Sequence, residues 1–169
     1  MRILFIVTFL ANIVFAFGSL PWLPNQVAVH FDANGTPNGF ISPVVSAVVM
    51  SVTAGFITAI MFGISGLTTM TVIHMPEFVN IPNRDYWLTE ENRQKTLRRL
   101  RWLTDSIGFL TMLHILFIQW EIFRFNRAVP PKVFNSDMVM YVSIVYLVLL
   151  TVVFVRFHMW FRLPKNGEQ

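Results

Sequence analysis

Nearly every strongly polar segment of this chain lies between or beyond four long apolar stretches, at residues 3–17, 44–73, 103–120 and 138–155. Lipid offers no hydrogen-bond partners and its hydrocarbon core is about 30 Å thick, so a spanning helix needs roughly 20 predominantly apolar residues. The pattern predicts an all-α membrane protein, a four-transmembrane-helix bundle with a short structured outer loop and an aromatic cytoplasmic loop. Spans are expected at about residues 3–20, 43–70, 102–123 and 137–160, with the outer loop at 21–42 and the cytoplasmic loop at 74–101, all in one domain covering residues 1–169.

With 54% hydrophobic and only 13% charged residues, the chain cannot cover four such stretches with polar surface. It has no cysteine, which excludes disulfides, thiolate zinc sites, iron-sulfur clusters and a cysteine nucleophile. The net charge of +4 is no nucleic-acid signal, because the basic residues gather beside apolar segments, where anionic lipid and topology rules account for them.

Those basic residues also set an orientation. An inside N-terminus and four spans put Arg2, six bases from Arg84 to Arg101, and Arg156, Arg162 and Lys165 in the cytoplasm. Only Arg124, Arg127 and Lys132 fall outside. Both termini are then cytoplasmic. The first stretch also has the basic start, apolar middle and small-residue end (Ala16, Gly18) of a secretory signal. Removing it would leave an odd number of helices and spoil the charge pattern, so it is read as a span reaching the Pro21-Trp22 pair.

In the second stretch Ala47, Ser51, Gly55, Ala59 and Gly63 recur every fourth position, a seam that lets another helix approach closely. Packing within the bundle is favoured over homo-oligomerisation through Ser51, Gly55, Ala59 and Gly63. Ser42 and Pro43 suit the start of this helix, which is expected to tilt or to end near Gly66. Thr89 is the expected N-cap of a surface helix that feeds the third span, either unbroken or bent near Gly108.

Ionisable residues inside spans are costly and are functional candidates. Asp105 is expected to pair with Arg156 of the fourth helix, and Glu121 with Arg124 three positions on. His114, in mid-span, is read as a neutral histidine bonded to a neighbouring helix.

Two loops carry most of the remaining pattern. In the outer loop Val27, Val29 and Phe31 alternate with Ala28, His30 and Asp32, followed by turn signals at Asn34-Gly35 and Pro37-Asn38-Gly39. His30 and Asp32, two apart, would share a strand face; with Glu121 they could offer three metal ligands. The favoured reading is that they bond the turn and hold the loop over the bundle. The inner loop has prolines at 76 and 82, which forbid a continuous helix. Its Phe78, Val79, Ile81, Tyr86, Trp87 and Leu88 need cover, at the lipid headgroup level or against the cytoplasmic ends of the bundle, while Asn80, Asn83 and Asp85 would satisfy the bent backbone between Pro76 and Pro82 and beyond. A plug over the bundle is favoured over a docking surface.

Leu23-Pro24, Val27, His30-Phe31, Gly35, Pro37-Asn38-Gly39-Phe40 and Ser42, placed between a first and a second membrane helix, carry a resemblance. The segment resembles a domain of unknown function found in small bacterial membrane proteins and at the N-terminus of SdpI-like bacteriocin immunity proteins. The run Pro82-Asn83-Arg84-Asp85-Tyr86-Trp87-Leu88 is similar to one in short members of that group. The resemblance covers about the first third of the chain and implies a bacterial cytoplasmic-membrane protein. SdpI-like proteins are larger, with further spans that have no clear match here.

The functional expectation is a non-enzymatic binding, sensing or accessory membrane protein with no cofactor, in contact with lipid and a membrane or cytoplasmic protein partner. The alternatives are a metal-dependent enzyme using His30, Asp32 and Glu121, and a small-ion transporter using His114 and Glu121. No phosphate-binding loop, catalytic serine-histidine-acid order or zinc-helix motif is present.

Overall fold

The computed structural model describes residues 1–128 and 134–163; Lys132 and Lys165 of the charge pattern lie outside them. The chain is mostly helical. Helix α1 (Arg2–Gly18) leads through a 3-10 turn (Leu20–Trp22) into a hairpin of β1 (Val27–Phe31) and β2 (Pro37–Ile41). Helix α2 (Pro43–His74), a 3-10 turn (Pro76–Phe78) and the short α3 (Arg84–Trp87) follow, then α4 (Glu90–Asn126) and α5 (Ser136–Trp160).

Helices α2, α4 and α5 are long and apolar enough to cross a membrane; α1, at 17 residues, is shorter. At 1.5 Å per residue α1 is about 26 Å long, while the 32 residues of α2 reach about 48 Å. The α-helix stops at Gly18, short of residue 20, and the chain continues as the 3-10 turn that contains Pro21. Gly66 does not end α2, which continues to His74. A lone glycine costs a helix only about 1 kcal/mol, less than the surrounding turns supply. Ser42 caps α2 as expected, its Oγ accepting from the Val45 N–H at 3.3 Å with Pro43 in the first turn. α4 runs unbroken past Gly108. Thr89 sits at its N-cap position, but its hydroxyl donates to the Tyr86 carbonyl instead of capping.

Helices α1, α2 and α4 pack against one another, and α5 lies on α4. The contacts fix their directions. Arg2 meets Ser65 and Asp105 at one end, and Phe15 meets Phe123 at the other, so α1 runs parallel to α4 and antiparallel to α2. Phe5 sits at the three-helix junction, packed with Ala54 and Met112.

The small-residue seam is only partly what the every-fourth spacing promised. Ala47 is buried and Ser51 half-buried, but Ala59 and Gly63 are exposed, and a Cβ on Gly55 or Gly63 would meet nothing within 4 Å. The reason is helical geometry. Each step of four overshoots a turn by about 40°, so five such residues sweep about 160° and cannot stay on one face. The packed stripe instead alternates steps of four and three, through Ala47, Ser51, Ala54, Thr58, Met61 and Ser65, the 3.5-residue period of left-handed helix packing.

The expected all-α fold is corrected by the hairpin, whose strands pair antiparallel as Val27 with Ile41, Ala28 with Phe40, His30 with Gly39 and Phe31 with Pro37. Irregularities on both sides of His30 break the strict alternation, and Val27 and Ala28 are both buried.

Candidate functional site

The hairpin is built around Asp32. Its carboxylate accepts the N–H groups of Asn34 at 2.9 Å and Thr36 at 2.8 Å, while Gly35 adopts a left-handed φ of 76°. Such a side-chain-closed turn is what aspartate before Asn-Gly makes available. His30 Nδ1 meets Asn38 Oδ1 across the strands. The two strands approach so closely there that a Cβ on Gly39 would lie 2.8 Å from His30 Cβ. His30 and Asp32 therefore bond the hairpin itself.

Two devices clip this hairpin to the helices. Asn126, at the end of α4, offers its side-chain amide as a short strand: Oδ1 accepts from the Ala28 N–H at 2.7 Å and Nδ2 donates to the Ala28 carbonyl at 2.9 Å. Phe31 stacks on Phe134 at 4.0 Å and meets Phe125 edge-on at 4.8 Å, and the Phe134 N–H donates to the Gly35 carbonyl. Leu23 and Val27 line a small cavity beneath, with Ser19, Ser46 and Gln119 as its polar walls. At about 30 Å³ it has room for water, not for an organic substrate. Trp22 and Phe40 face outward, 57% and 53% exposed.

Asn126→Leu is expected to remove both bonds to Ala28 and cost about 1–3 kcal/mol. Hydrogen exchange should speed up across residues 27–31 with little change in α1 or α2. Asp32→Ala should loosen the same amides with or without a chelator. A loss of protection that chelation causes in the wild type, with no further loss in Asp32→Ala, would instead make Asp32 a metal ligand.

Glu121, the third proposed ligand, is buried and ion-paired with Arg124 at 2.6 Å. Among the described residues, no three His, Asp or Glu side chains gather closely enough to hold a metal ion. His114 faces α5. Its ring stacks on Tyr146 at 4.6 Å with Nε2 3.5 Å from Ser143 Oγ, and the Tyr146 hydroxyl in turn meets Thr111 at 3.0 Å.

The expected Asp105–Arg156 pair is overturned. Asp105 accepts from Arg2 Nε and a terminal guanidinium nitrogen, both at 3.2 Å, and Arg2 also bonds Ser65. Arg156 instead lies over the rings of Trp102 and Trp160. Depth along the membrane matched both cations to Asp105; the packing of α1 against α4, with α5 on another side, decided between them. Sequence reading also missed Asn12, which is fully buried and joins Gln119 Nε2 at 2.8 Å and the Met112 carbonyl at 3.0 Å. An asparagine in the middle of an apolar stretch was the available signal, since polar side chains between lipid-bathed helices bond across them.

At the opposite end of the bundle, the loop between α2 and α4 packs as a plug. Val79, Ile81, Trp87, Leu97 and Phe161 form a buried cluster with Val72. Asn83 Nδ2 and Trp87 Nε1 both donate to the Phe161 carbonyl, at 2.7 and 2.9 Å, tying the loop to the end of α5. Asn83 takes a left-handed φ of 53° just after Pro82. Phe78 and Tyr86 are not covered by the bundle, which leaves headgroup-level burial as the expectation for them, and Asn80 is exposed as well. The bends at Pro76 and Asn83 turn neighbouring side chains to opposite sides.

The hairpin, the helix before it and the start of the helix after it form one connected unit. Residues 3–54 match the domain of unknown function DUF1648. The match takes in α1, the hairpin and α2 as far as Ala54, where Phe5 packs. No curated protein and no solved structure matches the chain.

Proposed function

We propose that this chain is a non-enzymatic accessory or sensing protein of the bacterial cytoplasmic membrane, with four crossings, both termini inside and the DUF1648 hairpin outside. The observation that carries this reading is how the outer module uses its side chains. Its His30 and Asp32 are committed to holding the hairpin's shape, while Trp22 and Phe40 project outward. A rigid platform with exposed aromatic residues is suited to contact with a membrane-associated protein. The resemblance to the N-terminal module of SdpI-like immunity proteins supports a role in sensing or neutralising something at the outer surface.

The four-crossing map is supported by α1 lying alongside α2 and α4 from Arg2 to Phe15. Its length of about 26 Å then extends into the following turn, with Trp22 at the interface. Ala59 and Gly63, both exposed, and the half-buried Gly55 with open space beside it offer a face on which a second copy packs closely.

Single cysteines at Asn34 and Glu91, both exposed, test the topology. With an impermeant thiol reagent on intact cells, Asn34→Cys should label and Glu91→Cys should not. A photo-crosslinking residue at Phe40 should then yield one discrete protein adduct in native membranes, while the same residue at Val148, on the exposed surface of α5, should yield lipid adducts. Equal labelling would refute the map, and lipid adducts alone from Phe40 would refute the recognition role.

A further inference from the structure

The outer surface of α5 carries an open groove of about 470 Å³, lined by Thr151, Val152, Val155, Arg156, Met159 and Trp160. The groove is almost wholly apolar along its length and bears one cation near the C-terminal end of the helix, which the orientation proposed above puts at the cytoplasmic side. None of the residues of α5 is buried, so this face is open to whatever surrounds the helix, and its apolar character suits lipid.

The Arg156 guanidinium is held in place at that end. It lies 5.1 Å from the ring centroid of Trp160 and 5.8 Å from that of Trp102, and the two indoles pack edge-on at 4.6 Å. The carboxylate at similar depth, Asp105, is already taken by Arg2. Among the described residues no carboxylate lies within ion-pair distance of Arg156. A guanidinium lying on aromatic faces, with no carboxylate of the described residues in ion-pair reach, is complementary to a phosphate supplied from outside the chain.

We propose that this groove is a binding site for an anionic phospholipid of the cytoplasmic leaflet. One acyl chain lies along Val152, Val155 and Met159, and the headgroup phosphate pairs with Arg156 between the two tryptophans. The apolar groove selects a lipid over a free anion, since inorganic phosphate would leave the trough unfilled. The net negative charge of the headgroup selects among lipids, because a zwitterionic headgroup brings its own cation against Arg156. The site depends on α5 crossing the bilayer and is independent of what the outer hairpin contacts.

The full chain, solubilised in mild detergent, can be titrated with phosphatidylglycerol or phosphatidylcholine and the first bound lipid counted by native mass spectrometry. The wild type should retain phosphatidylglycerol about fivefold more strongly, the scale of one interfacial arginine with an anionic lipid. Arg156→Gln should reduce that preference to near parity, while Arg162→Gln should leave it intact. Val152→Phe, which fills the groove and keeps the cation, should weaken retention of both lipids. An unchanged preference in Arg156→Gln, or loss of bound lipid on adding inorganic phosphate alone, would overturn the site. If Arg156→Gln does not fold, Val152→Phe decides: undiminished retention there refutes the groove.

Discussion

Phe5→Ala is expected to destabilise the helical core by about 3–5 kcal/mol, the cost of emptying a fully packed aromatic site. Phe5 is 1% exposed, stacks on Phe62 at 5.7 Å and touches Ala54 and Met112. It also lies over Gly108, where a Cβ would come within 2.7 Å of the ring. Gly108→Ala should therefore push α1 from α4 and cost about 1–3 kcal/mol by overpacking. The two changes should not add, because the methyl group introduced at residue 108 enters space that the lost ring vacates. Unfolding of the four proteins of this cycle in mixed detergent and dodecyl sulfate micelles measures the coupling. A double mutant as unstable as the sum of the singles would show that Phe5 and Gly108 are not in contact.

The second large effect is expected at the ion pair joining α1 to α4. Arg2→Gln and Asp105→Asn should each lose about 1–3 kcal/mol, between the values for exposed and fully buried pairs, because Asp105 is buried but Arg2 remains 42% exposed. The double mutant should lose less than the sum. Asp105→Asn combined with Arg156→Gln should be additive to within about 0.5 kcal/mol, as befits residues with different partners. Coupling of Asp105 to Arg156 but not to Arg2 would reverse the assignment.

Both effects depend on how α1 packs, which bears on the reach of the DUF1648 segment. Its matched residues end at Ala54, yet Phe5 stacks on Phe62 and packs on Met112, and Asn12 bonds Met112 and Gln119, all beyond the match. The hairpin likewise owes its position to Asn126 and Phe125 at the far end of α4. The hairpin is thus held by a helix that the matched segment does not contain.

Much of this was legible from local sequence. Apolar stretches that only lipid can cover marked the three long helices and the shorter first one. Ser42-Pro43 marked the start of α2, Asp32 with Asn34-Gly35 the hairpin turn, and the prolines at 76 and 82 the bends between α2 and α4. Each of these follows from backbone or solvation chemistry within a few residues. The partners of Asp105, Asn12 and Ala28 were not legible, because they lie about 100 positions away in the chain and a side chain specifies the kind of partner it needs, not which residue supplies it. Tertiary packing made those choices by bringing Arg2, Met112 with Gln119, and Asn126 within bonding distance. It also turned α2 to its 3.5-residue stripe, since close contact along its whole length, rather than the recurrence of small residues, decides which face of a helix is buried.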